Sequence, residues 1–174
     1  LGAYSRFQWH HPGPLYFYVL APFYVFGGST TSTLNAGAAA ISFACVWLVA
    51  SVLIHRRPSM AVATGAMLVL LAVRSSEALA SPWNPHVTLL PMLALLVVTA
   101  DVVAGAAGSL PYVAVLASLA AQAHVAVMPV ALVLGALAFV RACAGAVMPQ
   151  DTRAWRRSLI VTGCALLAAW VLPA

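Results

Sequence analysis

Two adjacent imidazoles, His10 and His11, sit in the stretch 5–18, SRFQWHHPGPLYFY, and are followed at once by Pro12, Gly13 and Pro14. Imidazole donates, accepts or carries a proton close to neutral pH, so such a pair can hold phosphate oxygens. The prolines forbid a continuing helix there, and both rings should be presented from a rigid turn or extended segment. Arg6 adds a guanidinium just upstream, a group suited to bidentate phosphate contacts. A second polar group is Trp83, Asn84 and His86, in a loop stiffened by Pro82 and Pro85. A third is Gln122 with His124, which interrupts a long apolar run. Each has a plainer use: headgroup anchoring for Arg6, a place in an interfacial aromatic belt for Trp83, loop fixing for the histidine pair, and satisfaction of exposed backbone at a helix hairpin for Gln122 and His124.

The elements that must position these groups are set by composition. Of 174 residues, 64% are apolar and 6% charged, against roughly 25% charged in a soluble domain. The expected fold is therefore an all-α membrane protein. All eight basic residues are arginine and they are dispersed along the chain, which fits topology better than a clustered nucleic-acid-binding face. Cys45, Cys143 and Cys164 form no C-x-x-C pair, so neither a disulfide framework nor a thiolate metal site is indicated. The chain reads as an internal piece of a longer protein, with no charged n-region or signal peptide at its start.

Residues 1–32 read as an extracytoplasmic loop leading into an interfacial amphipathic helix over 15–26, where Tyr and Phe are the types that settle at the headgroup boundary. Proline suits a first helical turn, so Pro14 marks its start. Residues 33–174 read as a transmembrane helical domain with about six spans, near 33–54, 60–73, 87–100, 110–123, 125–140 and 159–172. Several are shorter than the ~20 residues usual for a span. The run 110–140 would overshoot a ~30 Å hydrocarbon core as one helix, and Gln122, His124 and Pro129 divide it into a hairpin.

That division has a consequence for sidedness. With six spans, Arg56 and Arg57 share a face with 101–109 and with a long loop, 141–157. Six of the eight arginines then lie together, the face that the positive-inside rule makes cytoplasmic. Four of the five histidines, His10, His11, His86 and His124, fall on the opposite, extracytoplasmic face, where they can line one cavity with their neighbours. Among the acids, Glu77 lies outside and should pair with Arg74 at i, i+3. Asp101 and Asp151 lie inside, Asp101 as a helix-end polar residue.

Trp9 to Tyr18 (WHHPGPLYFY), Ser81 to His86 (SPWNPH) and Gln122 to Val125 (QAHV) resemble successive landmarks of bacterial polytopic glycosyltransferases of the C-type (GT-C) fold, and are similar to the protein mannosyltransferase and aminoarabinose transferase group. The resemblance spans most of the chain. It implies a sugar donor on a polyprenyl phosphate, a glycan, lipid or protein acceptor, an active face outside the plasma membrane, and inversion at the anomeric carbon. Under it, Arg6, His10, His11, Trp83, Asn84, His86, Gln122 and His124 would bind substrate, with Trp83 stacking on the sugar. No cofactor is fixed, and a divalent metal is left open. The resemblance also implies a catalytic Asp or Glu ahead of the segment like 10–18. No acid precedes His11 here, so the base is expected upstream of Leu1.

Two rival readings have a physical basis. A transporter would gather polar residues at the midplane, on broken helices and within internal repeats, whereas these gather at one rim. A histidine-ligated haem or metal protein would place imidazoles inside facing spans, whereas these lie at span ends beside prolines.

Overall fold

The computed structural model describes residues 8, 10, 12–147 and 152–171. Among them there is no strand; the chain is helical almost throughout. The helices are α1 (Leu15–Phe26), α2 (Thr31–Arg56), α3 (Pro58–Leu79), the single turn α4 (Asn84–Val87), α5 (Leu89–Val103), α6 (Leu110–Ala123), α7 (Met128–Val147) and α8 (Thr152–Trp170). Short 3₁₀ turns at Ala107–Ser109 and Val125–Val127 lead into α6 and α7.

Among the described residues, four stretches are long and apolar enough to cross a membrane: Thr31–Arg56, Pro58–Leu79, Asn84–Val103 and Val125–Gly145. This fits a membrane-embedded protein. The other two expected spans also form helices but differ in kind. At 14 residues, α6 rises only about 21 Å. Three arginines occupy the first turns of α8.

Local sequence accounts for most boundaries. Pro14 precedes the first turn of α1, as expected of a residue with no N–H to lose there. Arg57 leaves the helical region (φ −150°, ψ 72°), as a residue before proline is driven to do, and Pro58 then opens α3. His124 is extended (φ −151°, ψ 114°) and separates α6 from α7 at the expected hairpin. Gly105 adopts φ +108°, a conformation that suits glycine, and turns the chain after α5. The Ala106 N–H donates to Asp101 O there, at 3.0 Å.

The expected loop 141–157 is largely helical. α7 runs on through Arg141 and α8 begins at Thr152, ahead of Arg153, Arg156 and Arg157. Arginine is a good helix former, and Trp155 is buried, with its indole against Gly145 of α7. A side chain there would meet the ring, since a Cβ on Gly145 would lie 2.4 Å from Trp155 Nε1. Only the stretch 148–151, which includes Asp151, lies outside the described residues. A second difference is in α3, which continues past Arg74 to Leu79 but kinks at Ser75 (φ −147°, ψ 44°). The kink breaks the register between Arg74 and Glu77, and the expected ion pair does not form.

Two helices carry the core. α5 packs against α2, α6 and α7, while α6 packs against α1, α5, α7 and α8. Leu95, Val98 and Val102 of α5 and Val113, Leu116 and Ala120 of α6 are buried. Small residues such as Ala94, Ala131 and Ala138 are wholly buried and let the helix backbones approach closely. α3 is peripheral: it lies against α2 and α4 and buries no residue.

Candidate functional site

The contacts beyond each helix gather at two ends of the bundle. At one end the turn before α1 docks on α6. Gln122 is 1% exposed, and both ends of its amide are used: Oε1 accepts from Leu15 N–H at 3.0 Å and Nε2 donates to Ala169 O at 3.0 Å. It therefore satisfies one of the orphan N–H groups at the start of α1 and a carbonyl near the end of α8. Gly13 is packed so tightly on this amide that a Cβ would come 2.0 Å from Oε1. Next to it the Trp170 indole N–H donates to Ser118 Oγ at 2.9 Å.

The same end takes in the second loop. Tyr16, buried on α1, donates its hydroxyl to Pro82 O. Burial pushes the Tyr16 phenol up to about 12, so it stays a donor at every physiological pH. Pro82 leads into Trp83 and the α4 turn. There the Trp83 and His86 rings meet edge to face, 4.7 Å between centroids at 86°, a favoured arrangement for aromatic pairs. Trp83 is 61% exposed, so a face of its indole is open to a ligand. His86 Nδ1 is buried without a hydrogen-bond partner. Thr88 Oγ1 donates to Pro85 O at 2.9 Å and tightens the turn that carries the imidazole.

The three polar segments, separated by 66 and 107 positions along the chain, are thus brought together around the start of α1. The individual residues differ in what is left for a ligand. Trp83 is exposed, Asn84, His86 and His124 are half-buried, and His10 is exposed. Gln122 has its amide occupied by backbone groups. Arg6 and His11 lie outside the described residues. Tyr16 and Gly13 join the site through contacts that their place in the sequence does not announce. Their tyrosine and glycine types beside Pro12 and Pro14 were the available signal, but not their partners.

Below this end runs an apolar cavity of about 440 Å³ between α6, α7 and α8. Ala121 and Trp170 line its upper part, and Leu110 and Phe139 line the far part.

The opposite end is built on charge. Arg56 Nε lies 3.2 Å from Asp101 Oδ1, and Ser109 Oγ donates to Asp101 Oδ2 at 2.6 Å. Arg141 Nε donates to Val103 O at 3.3 Å while its guanidinium lies 5.0 Å from the centre of the Trp155 ring, within cation–π range. Ser158 Oγ donates to Ala107 O. Asp101 is thus a paired structural residue. Glu77 is exposed on α3, beyond the Ser75 kink. Among the described residues no group of three His, Cys, Asp or Glu side chains is arranged to hold a metal ion.

Comparison with protein-family models, with curated proteins and with solved structures finds no match for this chain.

Proposed function

We propose that this chain is the membrane part of a GT-C glycosyltransferase, which moves a sugar from a polyprenyl-phosphate donor to an acceptor hydroxyl outside the plasma membrane. The observation that carries the reading is the meeting of the three landmark segments: Gln122 holds the start of α1, and Tyr16 holds the loop that presents Trp83 and His86. Residues chosen for their likeness to one family's motifs, and remote in sequence, share one end of the bundle.

On this reading six helices, α2, α3, α5, α6, α7 and α8, cross the bilayer, with the arginine-rich end cytoplasmic and the landmark end outside. Short α6 is accommodated by local thinning and by snorkelling at its ends. α1 lies in the outer interface.

Chemically, the acceptor oxygen attacks the anomeric carbon from the face opposite the phosphate, a carboxylate takes the acceptor proton, and the polyprenyl phosphate leaves, inverting the centre. His86, His10, His11 and Arg6 would neutralise the donor phosphate. Trp83 would stack on the sugar, with Asn84 and His124 bonding its hydroxyls. Gln122 is a positioning residue, since its amide is engaged by the backbone of α1 and α8. The groove between α6, α7 and α8 would take the proximal part of the lipid chain. The base is assigned to an acid preceding the segment 10–18, as the family resemblance implies.

The test is transfer from a polyprenyl-phosphate sugar by the full-length protein in proteoliposomes. His86→Ala should lower the rate at least tenfold while preserving membrane insertion and costing no more than about 1.5 kcal/mol of stability, the scale of its edge-to-face contact with Trp83. Unchanged turnover in His86→Ala and Trp83→Ala alike would overturn the assignment.

A further inference from the structure

A cavity of about 580 Å³ lies at the other end of the bundle. Its walls are apolar: Val52 and Leu53 of α2, Met60 of α3, and Val97 and Ala100 of α5. Its mouth is not, being formed by Arg56, Arg57 and Asp101. It is lined by three of the helices long and apolar enough to cross a membrane and is open along one side. The cavity therefore has the polarity profile of a lipid, a hydrocarbon slot closed by a charged head.

The sign of the head follows from the charges present. Arg56 is bound to Asp101. Arg57 is exposed and has no carboxylate within ion-pair distance among the described residues. Two guanidiniums against one carboxylate leave a net single positive charge at the mouth. The backbone adds to it. Pro58 begins α3 immediately after Arg57, and the helix has neither a side-chain cap nor an acid in its first turn. Its first free N–H groups and the positive end of its dipole face the same corner, where a phosphate is favoured. A zwitterionic headgroup would bring its own cation and gain little there.

We propose that this cavity binds one anionic phospholipid of the surrounding bilayer. An acyl chain fills the slot between α2 and α5, and the phosphate sits between the Arg56 and Arg57 guanidiniums at the start of α3. Basic pockets between membrane helices are a recurrent way of holding anionic headgroups, and guanidinium matches phosphate oxygens bidentately. The apolar walls decide for a lipid over a soluble phosphate. The inference requires membrane embedding but not the glycosyltransferase reading, since it concerns the opposite end of the bundle.

The full chain is purified in maltoside detergent and mixed with dioleoyl-phosphatidylglycerol, dioleoyl-phosphatidylcholine or glycerol phosphate. Bound lipid is counted by native mass spectrometry, and the melting temperature is followed. One phosphatidylglycerol per chain should be retained, with affinity at least tenfold above that for phosphatidylcholine, and glycerol phosphate should have no effect. Arg57→Gln should cut phosphatidylglycerol affinity about tenfold, equivalent to about 1.4 kcal/mol, without changing the melting temperature of the lipid-free protein. Ala100→Trp, which fills the slot and leaves both arginines, should abolish retention. Equal binding of the two lipids overturns the proposal, as does an Arg57→Gln variant that binds like the parent. A response to glycerol phosphate alone assigns the arginines to a soluble anion and overturns it too. Should Ala100→Trp fail to fold, the lipid comparison and Arg57→Gln decide the matter.

Discussion

The two ends of the bundle solve the same problem, joining helix termini, with different chemistry. At the arginine-rich end, charge does the joining: Arg56 with Asp101, and Arg141 over Trp155. At the landmark end, neutral hydrogen bonds to backbone do it: Gln122 to Leu15 and Ala169, Tyr16 to Pro82. These neutral joints add no charge of their own beside the imidazoles. On the proposed reading that difference matters, because the site would receive a charged lipid phosphate. Carboxylates built into the frame would repel it, whereas amide and phenol groups do not.

The contrast orders the effects of breaking each joint. Gln122→Ala strands the Leu15 N–H and the Ala169 carbonyl in a buried setting and opens a void, so it should cost about 2–4 kcal/mol in thermal or denaturant unfolding. A loss under about 1 kcal/mol would show that the amide is dispensable. Asp101→Ala should cost less, about 1–2 kcal/mol, chiefly through the lost Ser109 hydrogen bond. Arg56 is 56% exposed, and an ion pair so open to water contributes at most about 1 kcal/mol. High salt should therefore weaken the parent at this end but leave the Gln122 effect unchanged.

Tyr16→Phe should cost about 1 kcal/mol, and its pH dependence sharpens the comparison. The phenol is held near 12 in the folded protein, against about 10 when free. Between these values the unfolded chain has lost the proton that the folded chain keeps, so stability falls as pH rises through that window. The contribution is fully present below pH 10. Thermal melts from pH 9 to 12 should show the decline in the parent and a shallower one in Tyr16→Phe; parallel curves would exclude the buried phenol as its cause.

Much of this frame was legible in the sequence because the determinants are local. Pro14 and Pro58 start α1 and α3, and the polar break at Gln122 to His124 divides α6 from α7, all within a few residues of where pattern put them. The arginine-rich stretch after Arg141 was not, because a charge run looks like a loop when read alone. Its helicity depends on Trp155 packing against Gly145, a contact between two elements. The kink at Ser75 has no proline or glycine to announce it. Within the candidate site, residue types were visible but their uses were not. The role of Gln122 is fixed by partners 107 and 47 positions away, and no periodicity carries that information. Gly13 looked like a turn former, yet its lack of a side chain is what lets α1 dock on that amide.

On the proposed reading, the end bearing Trp83 and His86 opens outside the cell and the arginine-rich end is cytoplasmic. In full-length protein with Cys45, Cys143 and Cys164 changed to serine, single cysteines are placed by Trp83→Cys and Arg153→Cys, both at exposed positions. A membrane-impermeant maleimide should label the first in intact cells and the second only after the membrane is opened. Labelling of the Arg153→Cys protein in intact cells, with protection of Trp83→Cys, would contradict the account.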